Sequence, residues 1–278
     1  MPFKLPAFAL LISCCLFVQP APAQEQGGVR VQGEPVQGGL MFIQAAPGST
    51  AFLDGQELMV SPQGNFVIGF DRDETGEKSL TIVTSDRGEQ IITLPVAPRQ
   101  YDIERVDGLP PATVTPDPAA AERIRQEAEM VANARSRRDP RTDYLDGFDW
   151  PASGRISGVY GSQRILNGQP GRPHYGLDIA TPTGSPVYAP ADGIITLAHP
   201  GMYFSGGTLI LDHGQGLSSS FLHLSKILVE SGTEVKQGDL IAEIGASGRA
   251  SGPHLDWRMN WLNRRVDPQL LVVELPQP

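Results

Sequence analysis

The feature that most restricts the fold of this chain is the shortness of its β-rich runs and the turn residues that separate them. Between Val31 and Val106, runs rich in β-branched and aromatic residues alternate with Pro-Gly, Asp-Gly and similar turn signals. This spacing predicts a small β-sandwich, and the stretch contains no histidine. The predicted strands are Leu40 to Gln44, Thr50 to Leu53, Asn65 to Phe70, Leu80 to Thr84 and Gln90 to Leu94.

Glycine and proline are frequent along the whole chain, which favours a turn-rich, mostly β protein. They number 31 and 25 of 278 residues, below the roughly 25–30% that marks low-complexity sequence. With 40% hydrophobic residues, the chain is long enough for one or two packed domains. A formal net charge of −9 disfavours nucleic acid as a partner.

The first 23 residues have the features of an export signal. Lys4 is followed by the apolar run Ala7 to Val18 and by Ala21-Pro22-Ala23, a small-x-small cleavage pattern. The run is shorter than the about 20 residues that cross a bilayer, so we expect an exported protein of the periplasm or cell envelope, without a transmembrane segment. Both cysteines lie inside this signal, and lipoprotein anchoring through Cys14 is the alternative.

A proline-punctuated linker, residues 110–142, follows the predicted β-sandwich-like domain of residues 24–109. Asp117 is placed to cap a helix that begins at Pro118. Apolar residues then recur at helical spacing: Ala121, Ile124, Ala128 and Val131. Three arginines follow, where the helix end carries partial negative charge: Arg135, Arg137 and Arg138. We expect these arginines to be solvated; a contact with an anionic wall polymer is the alternative.

All five histidines lie in the third region, residues 143–278, which again consists of short β-rich runs. His174 and Asp178 are an even number of residues apart, so on an extended chain they project to one face, with Gly176 allowing close approach. His254 and Asp256 share a strand face in the same way. Clustered titratable residues indicate that this region carries the chemistry.

His223 is the third histidine that the pattern singles out. Each of the three would by itself more often be a hydrogen-bonded structural residue. Three histidines and two aspartates on strands of one small domain are nevertheless the residues that an open zinc site requires. His213, at a strand end, is interpreted as structural, and His199 as a loop residue.

The stretch from about Phe148 to Pro268 resembles the lysostaphin/LytM-type zinc endopeptidases, which cut peptide bonds in bacterial peptidoglycan. The resemblance implies an antiparallel β-sheet peptidase domain. It rests on these matches, in chain order: Trp150-Pro151, Gly154, Gly161, His174 to Asp178, Gly184, Val187, Ala189, Gly193, Asp212-His213-Gly214, His223-Leu224-Ser225, Val235 to Gly238, Gly245 to Gly248 and Gly252-Pro253-His254-Leu255.

The resemblance implies that His174 and Asp178 bind one Zn²⁺ or another divalent ion. His223 and His254 would be the uncoordinated catalytic histidines beside it. The family's third ligand is the histidine that closes a His-x-His pair, and this chain has Asp256 there. An aspartate can reach zinc from this position, since carboxylate oxygen binds zinc at ~2.0–2.2 Å.

The aspartate changes the charge of the predicted site. Zn²⁺ with one imidazole and two carboxylates sums to zero, against +1 with two imidazoles and one carboxylate. A less positive centre makes bound water less acidic. We therefore expect weaker activity at neutral pH, a higher pH optimum, or a preference for a harder metal.

The sequence thus predicts an exported zinc metalloendopeptidase that hydrolyses peptide cross-links of peptidoglycan, with His254 as base and His223 facing the oxyanion. The alternative is a weak or inactive LytM-like module that regulates partner cell-wall hydrolases or division proteins. A third hypothesis makes the C-terminal domain a scaffold for an N-terminal binding domain. The loops Arg164 to Pro173 and Met202 to Gly206 are predicted to set specificity.

Overall fold

The computed structural model describes residues 24–106, 120–166 and 168–272, which are mostly β-strand. The predicted export signal, the domain boundary at residues 109 and 110, and the helix start at Asp117 and Pro118 lie outside these ranges. Within these ranges, no helix combines the length and the apolar character that crossing a bilayer requires.

The N-terminal region forms two four-stranded antiparallel sheets, ordered β1-β2-β3-β6 and β5-β4-β7-β8. All five predicted strands are present, and the short strands β1, β2 and β5 are additional. The strands are β1 Gln24–Gln26, β2 Val29–Gln32, β3 Leu40–Gln44, β4 Thr50–Leu53, β5 Gln56–Leu58, β6 Asn65–Gly69, β7 Glu77–Thr84 and β8 Gly88–Pro95.

Burial differs between the strands of the two sheets. On β7, Leu80 and Ile82 are fully buried whereas Val83 is exposed, so burial alternates along that strand. On β6, three successive residues, Phe66, Val67 and Ile68, are all buried. One hydrophobic cluster includes residues of both sheets, which removes their apolar side chains from water.

The C-terminal region forms one ten-stranded sheet with the path β10-β13-β20-β17-β16-β15-β18. β14 pairs with β19, β19 also pairs with β17, and β21 pairs with β20. The elements are β10 Arg155–Gly158, β13 Leu177–Ala180, β14 Pro186–Tyr188, β15 Gly193–Met202, β16 Gly206–Asp212, β17 Leu217–Ile227, β18 Glu234–Val235, β19 Leu240–Ile244, β20 His254–Trp261, β21 Arg264–Val266 and a 3₁₀ helix Pro268–Leu271.

A small three-stranded sheet joins the two regions. Strand β9, Ile103–Val106, pairs in parallel with β11, Gln163–Leu166, and β11 pairs with β12, Gln169–Pro170. Nearby, the Arg99 guanidinium donates to the Asp267 carboxylate at 2.8 Å, and one hydrophobic cluster includes residues of both regions. The two regions are therefore packed together.

The helix α1, Ala121–Ala134, turns inward only part of its predicted apolar stripe. Ile124 and Val131 are half-buried beside the buried Glu127 and Ala134, whereas Ala121 and Ala128 are exposed. The Glu127 carboxylate accepts a hydrogen bond from the backbone N–H of Tyr203 at 2.8 Å. The apolar stripe is too narrow to fix the rotation of the helix about its axis. The polar contact of Glu127 with the β15–β16 turn therefore sets that rotation.

The expectation that all three arginines at the end of α1 are solvated is wrong for one of them. Arg135 points at the sheet and donates to Ser220 Oγ at 2.8 Å. Burial and the charges of Arg265 and Arg258 lower the pKa of Arg135 to about 9. Arg138 is exposed and donates to the Arg135 carbonyl at 2.8 Å, as the helix dipole favours.

Candidate metal centre

Strand pairing brings the three predicted metal ligands together. Asp178 on β13 lies directly opposite Asp256 on β20 in the antiparallel register. His174 lies just before β13, and its Nε2 is 3.2 Å from Asp178 Oδ1. One ligand atom from each residue lies within 4.8 Å of the other two. Ligands at ~2.1 Å from a tetrahedral zinc are about 3.4 Å apart, so a small closure suffices to hold an ion.

Two glycines provide room for the carboxylates. A Cβ added at Gly158 would overlap the Asp178 carboxylate, and a Cβ at Gly176 would overlap Asp256 Oδ1. Neither glycine has a positive φ, so the requirement is for space. Gly176 therefore has the close-approach role expected from the sequence.

The two predicted catalytic histidines lie side by side at this cluster. The ring centroids of His223 and His254 are 4.8 Å apart. His254 Nδ1 is 2.8 Å from the Gly252 carbonyl, and His223 Nδ1 is 2.8 Å from the Ser247 carbonyl. A carbonyl partner favours the proton on Nδ1, which leaves Nε2 of each ring able to accept a proton. His254 Nε2 is 3.9 Å from Asp178 Oδ1.

His223 reaches this position through an irregularity in β17. Leu222 lies opposite Asp256, so regular alternation would direct His223 to the other face of the sheet. The pairing of β17 with β16 shifts register between Leu209 and Gly207, and His223 has a φ of 64°. A bulge with a left-handed residue costs about 1–3 kcal/mol and is typical of functional sites, where it re-aims a side chain.

Asp256 has a partner that the sequence reasoning missed. The Arg258 guanidinium holds both carboxylate oxygens: its Nε is 2.9 Å from Oδ1 and 3.0 Å from Oδ2, and its Nη2 is 2.5 Å from Oδ2. Asp256 is only 2% exposed. The signal was the two-residue spacing, which places Arg258 on the same strand face as Asp256.

The titration behaviour reflects these charges. Burial alone would raise the pKa of Asp256, but the Arg258 ion pair outweighs it and holds that pKa below its ordinary value. Burial would lower the pKa of His174, but the Asp178 and Asp256 carboxylates outweigh burial and raise it. Burial lowers the pKa of His223. The two carboxylates thus favour a positive charge, a proton or a metal ion, on or beside the His174 ring.

Two buried atoms show where an ion fits. His174 Nε2 and Asp178 Oδ1 lie 3.2 Å apart, and among the described residues neither has a hydrogen-bond partner outside this contact. Buried polar atoms with so few partners are rare and costly. An imidazole nitrogen and carboxylate oxygens are also the donors that zinc accepts. The residues present therefore fit a divalent metal held by His174, Asp178 and Asp256.

The cluster lies in a groove of about 710 Å³. Arg164, Arg172 and Pro173 line it, from the first segment predicted to set specificity. The prediction that this segment is a loop is wrong in part, because it includes the paired strands β11 and β12. The second predicted loop does not line this groove; its Phe204 instead supports the guanidinium of Arg249, which does. Asp102 and Glu104, at the junction with β9, complete the wall. The sequence offered no signal for these two, because parallel pairing of β9 with β11 is a long-range contact.

His213 and His199 take no part in the cluster. His213 is fully buried, with Nδ1 2.7 Å from the Asp192 carbonyl and Nε2 2.8 Å from Ser219 Oγ, which confirms its structural interpretation. His199 Nδ1 accepts a hydrogen bond from the Gly201 N–H at 3.1 Å, on β15. The prediction that His199 is a loop residue is therefore wrong, because β15 continues to Met202.

An antiparallel β-sheet that brings a histidine, two aspartates and two unliganded histidines into one groove is the architecture of a metallopeptidase. Comparison with known proteins agrees: peptidase family M23 matches residues 172–268. A crystal structure from Pseudomonas aeruginosa, described as a peptidase M23, is 30% identical with a TM-score of 0.66, and the match covers 85% of this chain and 94% of that one. The chain belongs to peptidase family M23, which confirms the resemblance to lysostaphin and LytM.

Two further relatives match part of the chain. Peptidoglycan DD-endopeptidase ShyB of Vibrio cholerae is 45% identical over 97 residues, which cover 34% of this chain and 22% of ShyB. Cell division protein DipM of Caulobacter vibrioides is 28% identical over 171 residues, 57% of this chain and 26% of DipM. The match thus spans about a quarter of the length of these relatives.

Proposed function

We propose that this protein is an exported zinc endopeptidase that hydrolyses peptide cross-links of peptidoglycan in the periplasm or cell envelope. One observation carries the proposal: the buried atoms His174 Nε2 and Asp178 Oδ1 have no hydrogen-bond partner among the described residues beyond their mutual 3.2 Å contact, and they lie beside two histidines that carbonyls hold through Nδ1. Family membership and the peptidoglycan endopeptidase ShyB support the choice of substrate. The pattern of residues 1–23 supports export.

Each side chain has a role in this proposal. His174, Asp178 and Asp256 hold the metal, which when bound supplies Lewis acidity. His254 accepts a proton from the attacking water through Nε2 and returns it to the leaving amine. His223, whose Nδ1 is held by the Ser247 carbonyl, faces the oxygen of the scissile carbonyl and donates to it from Nε2 only when the ring carries a second proton. The groove positions the peptide.

The proposal is tested with purified sacculi. The chain without residues 1–23 is incubated with them, with and without a chelator, and the released muropeptides are analysed. Products that disappear with chelator and in His254→Ala support the peptidase. His199→Ala, a histidine outside the groove, is the matched control and is expected to cleave normally. Intact cross-links at every pH and with every metal tried would refute the proposal.

A second candidate function is regulation of partner wall hydrolases without hydrolysis. The bidentate pairing of Asp256 with Arg258 favours it, because a carboxylate that already has a cation needs a metal less. The similarity to a cell division protein, DipM, is compatible with it. In the same assay, a regulator leaves sacculi intact by itself and increases cleavage by a partner hydrolase added with it.

A further inference from the structure

Arg258 is the charged residue that contacts Asp256, the residue at which this chain departs from the zinc-peptidase pattern. Its side chain lies along the same face of β20 as Asp256 and contacts both oxygens of that carboxylate. Gly176 makes room for the pair, because a Cβ there would overlap Asp256 Oδ1 and crowd Arg258 Cγ. The pair is therefore a packed feature of the groove floor.

Among the described residues, the Arg258 guanidinium has no other carboxylate as a hydrogen-bond partner. Ser220 lies opposite Arg258 in the β17–β20 register and accepts a hydrogen bond from Arg135 instead. Arg265, a second buried arginine nearby, donates to Asn260 Oδ1 and does not touch Asp256. Of the arginines in this part of the sheet, Arg258 is thus the one that forms an ion pair with Asp256.

The charges of the site can then be counted with Arg258 included. A divalent ion with His174, Asp178 and Asp256 sums to zero, and the guanidinium restores a charge of +1. This is the charge of a site that has two imidazoles and one carboxylate as ligands. A cation in van der Waals or hydrogen-bond contact with a ligand acts strongly in a buried site, where screening by water is weak.

Resting on the proposed function, we propose that Arg258 is a positioning residue that fixes the orientation of Asp256 and returns the metal site to a charge of +1. Its guanidinium contacts both oxygens of the Asp256 carboxylate, so a metal would share that carboxylate with it. By adding one positive charge, it offsets the extra carboxylate. The price of this arrangement is weaker metal binding, since guanidinium and metal compete for the same carboxylate.

The test measures Zn²⁺ affinity at one fixed pH, by competition with a chromophoric chelator, in wild type, Arg258→Gln, Arg258→Lys and Arg265→Gln. We expect Arg258→Gln to bind Zn²⁺ about tenfold or more tightly, because a competing charge is removed. Arg258→Lys should lie between wild type and Arg258→Gln, because it keeps the positive charge but not the guanidinium that contacts both carboxylate oxygens. Arg265→Gln, which loses a buried guanidinium without contact to Asp256, should stay within about threefold.

A second readout distinguishes positioning from a purely structural role. The melting temperature of metal-free Arg258→Gln should fall, because a buried carboxylate loses its partner, and Zn²⁺ should raise it by more than in wild type. The zinc-saturated variant should cleave sacculi about tenfold or more slowly, because its metal centre is less positive. Arg258→Lys should restore part of this rate.

The outcomes separate this inference from the proposed function. If wild type binds Zn²⁺ and cleaves sacculi while Arg258→Gln binds Zn²⁺ equally or more weakly, the inference is overturned and the peptidase stands. If Zn²⁺ binds more tightly to Arg258→Gln but no protein cleaves sacculi, the assignment of Arg258 to the metal site is supported and the peptidase fails.

Discussion

Two histidine environments in the same sheet differ in one decisive respect. Around His213, at the end of β16, burial is complete and both ring nitrogens have partners, with Phe148 packed edge-on at 5.3 Å. In the groove, the His174 side chain is 20% exposed, and its Nε2 has only the Asp178 carboxylate, 3.2 Å away, beside it among the described residues. A ring nitrogen that meets a carboxylate of the candidate metal centre, and no other partner, is what indicates a ligand.

The difference shows how a metal-ligand histidine can be told from a structural one. A buried polar group without a partner lowers stability, so a fold retains one where something else compensates. At His213 the backbone and Ser219 compensate within the protein. At His174, the proposed metal ion would compensate by binding both the ring nitrogen and the Asp178 carboxylate next to it.

The largest expected effect is on metal binding after removal of a proposed ligand. His174→Ala should weaken Zn²⁺ binding by more than about a hundredfold, since even outer partners of ligands are worth ~10–100-fold. Cleavage of sacculi should be lost with it. The unfolding free energy of the metal-free protein should fall by less than in His213→Ala, because His174 loses only its contact with the neighbouring carboxylates, whereas His213 is fully buried. Zinc titration and urea unfolding check both statements, and a large loss of apo stability would contradict the comparison.

The reverse result is expected at the structural histidine. His213→Ala removes a buried ring and leaves Ser219 Oγ without that partner, so the free energy of unfolding should fall by about 2–4 kcal/mol. Zn²⁺ affinity of the folded fraction should remain as in wild type. His199→Ala, with a single peripheral hydrogen bond, is the control and should cost less than about 1 kcal/mol. Loss of zinc binding in folded His213→Ala would break the distinction between the two environments.

The same residue predicts a pH dependence of stability. Burial, with a smaller contribution from Arg141, lowers the pKa of His213 to about 4, against about 6.5 in the unfolded chain. The unfolded state therefore binds the proton first, and stability that is fully present above pH ~6.5 declines as the pH falls toward 4, by up to about 3 kcal/mol.

The measurement compares wild type with His213→Gln by urea unfolding at several values between pH 7.5 and pH 4. The stability difference between the two proteins should shrink as the pH falls, because only wild type has this histidine to protonate. The raised pKa of Asp212, about 6 because of its burial, affects both proteins and largely cancels in the difference. A difference that does not change with pH would refute the assignment.

The smallest expected effect is at Arg135, which extends the comparison of buried polar groups to a residue outside the groove. Arg135 Nε is also buried without a partner in the described part of the chain, yet it lies under α1 and not in the groove. Arg135→Met should leave Zn²⁺ affinity unchanged and stabilise the protein by about 1 kcal/mol, because it removes a buried charge that no carboxylate balances. Urea unfolding and zinc titration test this; weaker zinc binding would show that the arginine contributes to the site.

Much of the fold was predictable from local pattern. The five strands predicted in the N-terminal region appear within a few residues of their predicted bounds, because alternating burial and turn residues act over short distances. The rotation of α1 was not predictable, since a contact between Glu127 and Tyr203, far apart in the chain, decides it. The pairing of β9 with β11 was missed for the same reason.

The sequence by itself determined which side chains are available for chemistry: three histidines and two aspartates at spacings that suit a β-sheet, within a recognisable peptidase pattern. Only the tertiary structure decided how they meet. Strand register sets Asp178 opposite Asp256, and a bulge turns His223 against the alternation of its strand. These outcomes depend on which strands pair and in what register, and that is set by burial over the whole sheet.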